Sequence, residues 1–195
     1  LIDGVTTNPT LIMKSGRNPE DVYQQLIDMG LDDVSMEVVG DFDAMYLEGI
    51  RLFRKFGKCA TIKVPCTQDG LRVCRELSRD LVNVNVTLIF SPAQAILAAK
   101  AGAKYVSPFV GRVDDNSFDG IDLVDQISDI YTIQNIRKTE ILAASVRDVK
   151  TVSDAFGAGA HVVTMPPSIL EKMYNHVLTD RGLYQFDMDW AKVKR

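Results

Sequence analysis

Residues 60–102 read ATIKVPCTQDGLRVCRELSRDLVNVNVTLIFSPAQAILAAKAG. This stretch contains two short segments rich in Val, Ile and Thr, at 60–64 and 84–90, and a longer amphipathic segment follows each of them. Thr67 or Gln68 can open the first helix, whereas Ser91-Pro92 opens the second and Gly102 ends it. A strand followed by a helix, repeated, predicts βαβ units with parallel strands.

The same alternation extends along the whole chain. Asn18-Pro19 starts a helix that Gly30 ends, and Asp43 can cap the next helix, which ends at Gly57. Three further helices are predicted at 123–133, 148–156 and 168–178. The predicted strands are 4–8, 34–39, 60–64, 84–90, 105–110, 140–145 and 161–165.

Seven strands, each followed by a helix, fall one short of the eight that close a (β/α)₈ barrel. We therefore expect an α/β fold, a TIM-type (β/α)₈ barrel, built as one domain from residues 1–195 and lacking its first strand at the N-terminus. The rival is an open doubly wound sheet, which needs a glycine-rich phosphate loop after an early strand. The chain contains neither G-x-G-x-x-G nor G-x-x-x-x-G-K-[ST], so the barrel is favoured.

The composition excludes several classes of protein. The chain has 195 residues, 46% of them hydrophobic and 25% charged, with a net charge of −4, so no basic footprint suggests a nucleic-acid partner. No apolar run is long enough to predict a membrane span, and no signal peptide is visible. The 3 cysteines lack a metal-site spacing and cannot all pair with one another, which favours a reduced, cytoplasmic setting.

Polar residues occur in most of the predicted strands, although parallel strands covered on both faces are normally continuous apolar runs. Several pairs are two residues apart and therefore share one side of their strand. Most lie toward the C-terminal ends, where barrel enzymes place their active sites. Each has a structural explanation when taken alone, but together they predict a shared polar cavity. These residues are Thr6, Asn8, Glu37, Thr61, Lys63, Asn85, Thr87, Ser107, Ser145 and Arg147.

Lys63 lies in the middle of an apolar strand, where an unpaired lysine is rarely found. One explanation is an edge strand from which the side chain reaches the surface. The other is a nucleophilic amine, because burial disfavours the ammonium form and a neutral amine forms a Schiff base with a carbonyl substrate. The protonated imine then accepts the electrons released by C–C bond cleavage.

Carbanion chemistry also needs a proton carrier and an anchor for substrate charge. Glu37 is the acid inside a strand core, which suggests a general acid/base acting through a water that Thr87 holds; a structural ion pair is its alternative. Arg112 and Arg147 each follow a strand end, which suits phosphate binding, although surface salt bridges would also explain them. The histidines and cysteines form no zinc pattern, so we expect no metal.

Five motifs occur in order along the chain: GVTTNPT at 4–10, IKVP at 62–65, NVTLIFS at 85–91, SPFVGR at 107–112 and ASVR at 144–147. Together they resemble the transaldolase family, and most nearly its small-chain branch of short microbial transaldolases and fructose-6-phosphate aldolases. The resemblance runs from residue 4 to about residue 190. It implies a (β/α)₈ barrel and aldol chemistry with neither a metal nor an organic cofactor.

The resemblance also implies a reaction and a role for each site residue. Lys63 would form the imine, and Glu37 and Thr87 would hold the catalytic water. A dihydroxyacetone unit would pass from sedoheptulose 7-phosphate or fructose 6-phosphate to glyceraldehyde 3-phosphate or erythrose 4-phosphate, as in the pentose phosphate pathway. The implied substrate-binding residues are Thr6, Asn8, Asn85, Ser107, Phe109, Arg112, Ser145 and Arg147. Of these, Arg112, Ser145 and Arg147 would bind the phosphate.

Two positions separate the branches that the chain resembles. Fructose-6-phosphate aldolases carry Gln at position 37 and Tyr at position 109, whereas Glu37 and Phe109 are the transaldolase pair. A Tyr hydroxyl can help to position a water that protonates the carbanion, and Phe cannot. We therefore favour a transaldolase over a fructose-6-phosphate aldolase or a catalytically dead sugar-phosphate-binding or assembly protein.

The family's first strand carries an Asp that assists proton transfer, and this sequence begins after that strand. The seven-strand count favours a first strand omitted from this sequence over an impaired protein. By resemblance we also expect a homo-oligomer, a pentamer or decamer, in which the tail at about 180–195 packs on a neighbouring subunit.

Overall fold

The computed structural model describes residues 1–193. Its strands are β1 (Val5–Thr6), β2 (Val34–Glu37), β3 (Ala60–Pro65), β4 (Val84–Ile89), β5 (Tyr105–Pro108), β6 (Glu140–Ala143) and β7 (Val162–Val163). Its helices are α1 (Pro9–Ser15), α2 (Pro19–Asp28), α3 (Phe42–Phe56), α4 (Gln68–Arg79), α5 (Pro92–Ala101), α6 (Val110–Asp114), α7 (Gly120–Ile133), α8 (Val149–Gly157), α9 (Pro167–Lys172) and α10 (Val177–Val193). Each predicted strand is confirmed in position, although most are shorter than predicted.

The seven strands form one parallel sheet in the order in which they occur in the chain. A doubly wound sheet reverses its strand order at a switch point, so this sequential order rules that alternative out. The sheet is strongly curled, because the Thr6 hydroxyl at the end of β1 lies 2.8 Å from the Thr164 hydroxyl just after β7, at the opposite edge. The result is a half-barrel consistent with a TIM-type barrel. An eighth strand ahead of β1 stays a prediction.

Side-chain oxygens cap most of the helices at the positions that the sequence indicates. Asn18, Thr67, Ser91 and Asp148 accept backbone N–H groups in the first turns of α2, α4, α5 and α8. These caps fix where each helix starts after its strand. The predicted cap of α3 was wrong: Asp41, not Asp43, accepts from the Ala44 N–H at 3.0 Å, and Asp43 lies inside the first turn.

The core is built from one face of each strand. Apolar residues such as Met36, Ile62 and Val84 are fully buried, and they alternate with polar residues along the same strands. Ile62 lies against α3, where a Cβ added to Gly49 would come within 3.2 Å of its methyl group. The helices therefore cover the apolar face of the sheet, and the polar residues are left facing the inside of the curl.

The C-terminal region differs from its prediction. One helix was predicted at 168–178, but α9 ends at Lys172 and a separate helix, α10, begins at Val177. The break has a local cause, because the His176 ring accepts the Leu178 N–H at 3.2 Å and so starts a new helix. No residue of α10 is buried within the described chain. The predicted tail at about 180–195 takes in most of α10, and its last residues, 194–195, lie outside the described residues.

Candidate active site

Glu37, Lys63 and Asn85 are consecutive register partners across β2, β3 and β4. Residues paired in register point to the same side of a parallel sheet. Their side chains therefore lie next to one another inside the curl. This row explains why strands of an otherwise apolar sheet carry polar residues.

Lys63 is the most deeply buried charged residue of this row, at 5% exposure. Its Nζ lies 2.9 Å from Glu37 Oε2 and also donates to the Thr7 carbonyl oxygen at 3.1 Å. The Glu37 side chain is only 12% exposed. Lys63 is on a central strand, so the edge-strand explanation is excluded. An amine held in a low-dielectric interior beside one carboxylate has a proton acceptor within reach.

Asn85 extends the row toward β5 through its side-chain amide. Its Oδ1 accepts from the Ser107 hydroxyl at 2.7 Å, and its Nδ2 donates to the Ser35 hydroxyl at 3.3 Å. All three side chains are buried. Sequence reasoning selected Asn85 and Ser107 but missed Ser35, although its spacing of two from Glu37 places both on one side of β2.

Thr87 lies two residues beyond Asn85 on the same strand and is 1% exposed. Within residues 1–193, its Oγ1 has no hydrogen-bond partner. A buried hydroxyl without a partner is costly, so such groups usually serve a ligand or an ordered water. The next residue, Leu88, has a φ of 60°, and the pairing of β4 with β5 shifts there from Val86 to Ile89. This β-bulge sets the direction of the strand directly after Thr87.

The β1 residues lie at the edge of the row. Thr6 bonds to Thr164, a residue that sequence reasoning did not select. The Asn8 Oδ1 has a structural role, because it caps α1 by accepting the Leu11 N–H at 2.9 Å. This bond leaves the amide nitrogen of Asn8 as the group that could meet a substrate.

Phe109 and Arg112 form a separate group at the C-terminal rim. The guanidinium carbon of Arg112 lies 4.9 Å from the centroid of the Phe109 ring, and Phe90 packs against that ring at 5.8 Å. Phe109 directly follows β5, so its ring adjoins the buried Ser107 along the chain. The stacking fixes the position of an exposed arginine at the mouth of the curl.

Ser145 and Arg147 lie on the loop after β6, close to α6. Ser145 has a φ of 61°, and a Cβ on Gly111 would lie 2.2 Å from the Ser145 carbonyl oxygen, so only glycine allows this approach. Arg147 makes two hydrogen bonds with Asp115, which sequence reasoning missed. The hydrogen bond from Arg147 lowers the pKa of the Asp115 carboxyl. The two arginines selected from the sequence therefore lie on neighbouring segments, one stacked on a ring and one paired with a carboxylate.

A second, partly buried lysine–carboxylate pair lies at the opposite, N-terminal end of the strands. Lys104 Nζ and the Tyr105 hydroxyl both donate to Asp33 Oδ2, at 2.9 and 3.0 Å. Burial alone would lower the pKa of Lys104, but hydrogen bonds to Tyr105 and Asp33 together raise it. Burial raises the pKa of Tyr105. This cluster joins β2 to β5 across the inside of the curl.

Other chemical groups do not converge on Lys63. Burial raises the pKa of Cys66, and it raises that of Cys74 to about 12, so neither thiol is activated. A surface cleft of about 460 Å³ is lined by Arg112 and Phe118 but not by Lys63. Within residues 1–193, no group of three or more His, Cys, Asp or Glu side chains could hold a metal ion. In the same range, no helix is long and apolar enough to cross a membrane.

The family model described as transaldolase/fructose-6-phosphate aldolase matches residues 1–195. The chain belongs to this family. A probable transaldolase of Nitrosopumilus maritimus is 52% identical over 195 residues, covering 100% of this chain and 87% of the relative. A probable transaldolase of Paracoccus denitrificans is 53% identical over 197 residues, covering 99% of this chain and 88% of the relative. The resemblance inferred from the five motifs is thereby confirmed, and the family and these names indicate a transaldolase-type enzyme.

A comparison of folds gives a more distant match. A solved structure of a flavocytochrome b2 mutant with benzoylformate aligns with a TM-score of 0.61 at 16% sequence identity. The alignment covers 83% of this chain and 47% of that chain. At this level of identity the match describes the fold alone, whereas the transaldolase-family assignment rests on the sequence.

Proposed function

We propose that this protein is a transaldolase, which transfers a dihydroxyacetone unit from a ketose phosphate to an aldose phosphate through an imine on Lys63. The observation that carries the proposal is the buried pair of Lys63 and Glu37, with 2.9 Å between Nζ and Oε2, at the C-terminal end of two central strands. The family assignment supports it, because a transaldolase-type enzyme needs a nucleophilic amine and a proton carrier.

The reaction starts with attack of the Lys63 amine on the carbonyl carbon of the ketose, followed by loss of that oxygen as water. The resulting protonated imine accepts the electron pair of the bond between the α and β carbons, C3–C4 of the ketose, while the C4 hydroxyl gives up its proton, and the aldose phosphate leaves as an aldehyde. The bound carbanion then adds to the acceptor aldehyde, and water releases the new ketose and the free amine. Each proton that moves at the imine passes through Glu37 and a water held by Thr87, whose Oγ1 is buried without a partner within residues 1–193.

Substrate hydroxyls and phosphate meet two different groups of residues in this proposal. Asn85, Ser107 and the amide nitrogen of Asn8 bind hydroxyls inside the curl, with Thr6 beside them. Arg112, Ser145 and Arg147 bind the phosphate at the rim, because a guanidinium offers paired donors to phosphate oxygens. Arg147 must exchange Asp115 for phosphate, since the carboxylate occupies the same donors.

The transferase is favoured over fructose-6-phosphate aldolase by Glu37 and by Phe109. The Phe109 ring packs between Phe90 and Arg112 and has no hydroxyl to position a protonating water. The carbanion therefore waits for an acceptor aldehyde. We also propose a strand ahead of β1 whose carboxylate assists C–C cleavage, a cytoplasmic homo-oligomer in which α10 packs on a neighbour, and a place in the pentose phosphate pathway.

Borohydride reduction in the presence of fructose 6-phosphate tests the imine. We expect intact mass to increase by one reduced dihydroxyacetone unit, and peptide mapping to place it on Lys63. Lys63→Met removes the adduct, whereas the matched control Lys104→Met keeps it. An intact protein that binds fructose 6-phosphate without forming the adduct would instead be a sugar-phosphate-binding protein.

Release of glyceraldehyde 3-phosphate from fructose 6-phosphate, measured with and without erythrose 4-phosphate, separates the two enzymes. A transaldolase needs the acceptor for turnover, so we expect a large increase when it is added. Equal rates would identify a fructose-6-phosphate aldolase. We expect Glu37→Gln combined with Phe109→Tyr to shift the balance toward acceptor-independent release.

A further inference from the structure

Ser35 lies in β2, two residues before Glu37 and on the same side of the strand, which faces the inside of the curl. It is 2% exposed. Its Oγ accepts a hydrogen bond from Asn85 Nδ2 at 3.3 Å, across the intervening strand β3. Ser35 therefore contacts the amide of a proposed substrate-binding residue without lying at the mouth of the site.

The oxygen and the nitrogen of the Asn85 side-chain amide each contact a serine hydroxyl. The Ser107 hydroxyl donates to Oδ1 at 2.7 Å, and Ser35 accepts one of the two Nδ2 hydrogens. Among residues 1–193, Ser35 is the acceptor given to Asn85 Nδ2, which leaves its second hydrogen without an acceptor there. Because each hydroxyl can donate or accept, the two contacts fix the plane of the amide rather than the choice between its ends.

We propose that Ser35 is a positioning residue for the reaction: it fixes the plane of the Asn85 amide, with the second N–H available to a hydroxyl of the substrate. This inference rests on the proposed function, since it assigns Asn85 to the substrate. Ser35 itself does not touch the substrate. Its contribution is to avoid the cost of ordering the amide when the substrate binds.

The backbone of Ser35 connects the same position to Lys63. The Ser35 carbonyl oxygen accepts from the Thr7 N–H at 3.0 Å and from the Thr7 hydroxyl at 2.8 Å. The Thr7 carbonyl oxygen in turn accepts from Lys63 Nζ at 3.1 Å. A substitution that removes only the Ser35 hydroxyl leaves these backbone contacts in place, so its effect reports on Asn85.

Thr61 provides a matched control. It is the register partner of Ser35 on β3, is fully buried, and carries a hydroxyl at the same level. Its Oγ1 has no hydrogen-bond partner among residues 1–193, so it makes no hydrogen bond to the Asn85 amide. Thr61→Val removes a hydroxyl from the same layer while keeping the volume.

A double-mutant cycle tests the proposal with Ser35→Ala, Asn85→Ala and the double variant. We expect Ser35→Ala to lower kcat/KM about tenfold, the scale of one lost neutral hydrogen bond, mostly through KM. In the Asn85→Ala background the same change should cost less than about twofold, because the amide that it orients is gone. Thr61→Val should have the same effect in both backgrounds, because its hydroxyl makes no hydrogen bond to the Asn85 amide. Equal losses from Ser35→Ala in both backgrounds would overturn the proposal.

A second measurement does not depend on catalysis. Nuclear magnetic resonance of the Asn85 side-chain amide should show slow hydrogen exchange, which Ser35→Ala speeds together with a change in the shift of the N–H that Ser35 accepts, whereas Thr61→Val leaves both unchanged. Ser35→Cys, which retains a weak acceptor, should give an intermediate result if Ser35→Ala fails to fold. An amide unaffected by either Ser35 variant would overturn the positioning role. Absence of the Lys63 borohydride adduct would instead overturn the proposed function, and the amide measurement would still stand.

Discussion

Two lysine–carboxylate pairs lie inside the same curled sheet, one at each end of the strands, and both have an N···O distance of 2.9 Å. Lys63 and Glu37 lie at the C-terminal end, with side chains 6% and 12% exposed. Lys104 and Asp33 lie at the N-terminal end, with side chains 32% and 23% exposed. Distance alone therefore does not distinguish the proposed reactive lysine from the other one.

Their neighbours differ more than their geometry. Asp33 has a second donor, the Tyr105 hydroxyl, so this carboxylate is satisfied by two partners and the cluster joins β2 to β5. Lys63 instead has as its register partner Asn85, whose amide its neighbours hold in place, and two residues further along β4 the Thr87 hydroxyl has no partner among residues 1–193. The Asp33 carboxylate of the N-terminal cluster has both its donors within the protein. The C-terminal row instead includes the Thr87 hydroxyl, which has no hydrogen-bond partner among residues 1–193. Buried polar groups without partners indicate a binding site, whereas buried polar groups with partners indicate a structural role.

Replacing each lysine in turn is the strongest way to separate the two ends. We expect Lys63→Met to lower kcat by about 10⁴-fold or more, the scale on which enzymes lose activity with their nucleophile. Lys104→Met should leave kcat within about twofold and lower the free energy of unfolding by about 1–2 kcal/mol, since Asp33 keeps Tyr105 as a donor. Steady-state assays and urea titration measure these effects. Similar losses of kcat from both variants would remove the distinction.

Neutralising each carboxylate tests the other half of each pair. Glu37→Gln should lower kcat by about 10²- to 10⁴-fold, because a general acid/base is lost while the lysine remains. Asp33→Asn should affect the unfolding midpoint rather than kcat. Full activity in Glu37→Gln would assign the proton transfer to another group. Borohydride trapping in the same variant checks whether Lys63 still forms an adduct.

High pH should weaken the N-terminal cluster. The pKa values of Lys104 and Tyr105 are raised above their ordinary 10.5 and 10.0, so the folded protein holds these protons more tightly than the unfolded chain does. Their contribution to stability is complete below those ordinary values and is lost as pH rises through the raised ones. We expect the urea midpoint to fall above about pH 10, and less steeply in Tyr105→Phe. Cys74, whose pKa is about 12, remains in both proteins and cancels in the comparison. Equal slopes would show that the cluster does not titrate with unfolding.

The pair of Arg147 and Asp115 extends the comparison to the surface, where both side chains are about half exposed. Such pairs contribute little to stability, so Asp115→Asn should leave the unfolding midpoint unchanged. It should lower KM for phosphorylated substrates a few-fold, because phosphate would no longer compete with the carboxylate for the guanidinium. KM for an unphosphorylated ketose such as fructose is the control. A rise in KM for the phosphorylated substrate would contradict this competition.

Patterns along the chain predicted the strands, their order and most of the caps, because these depend on local residues such as Thr67 and Ser91. The partners across strands were not predicted. Ser35 and Asp115 were missed because a contact between strands or loops depends on register and loop path, which periodicity does not fix. The break between α9 and α10 was missed because the competing cap is the His176 ring, which is not a usual cap residue.

The bulge at Leu88 has a consequence for how insertions and deletions would act on this chain. Between the pairs Val86–Val106 and Ile89–Pro108, two residues of β4 lie opposite one residue of β5, so one residue is extra. Deleting Leu88 would make the ladder regular with Ile89 still opposite Pro108, and the bend that the bulge introduces directly after Thr87 would be lost. Phe90, whose ring centroid now lies 5.8 Å from that of Phe109, would then leave the strand in a different direction. The number of residues between Thr87 and Phe90 therefore matters to the mouth of the site as well as their identity.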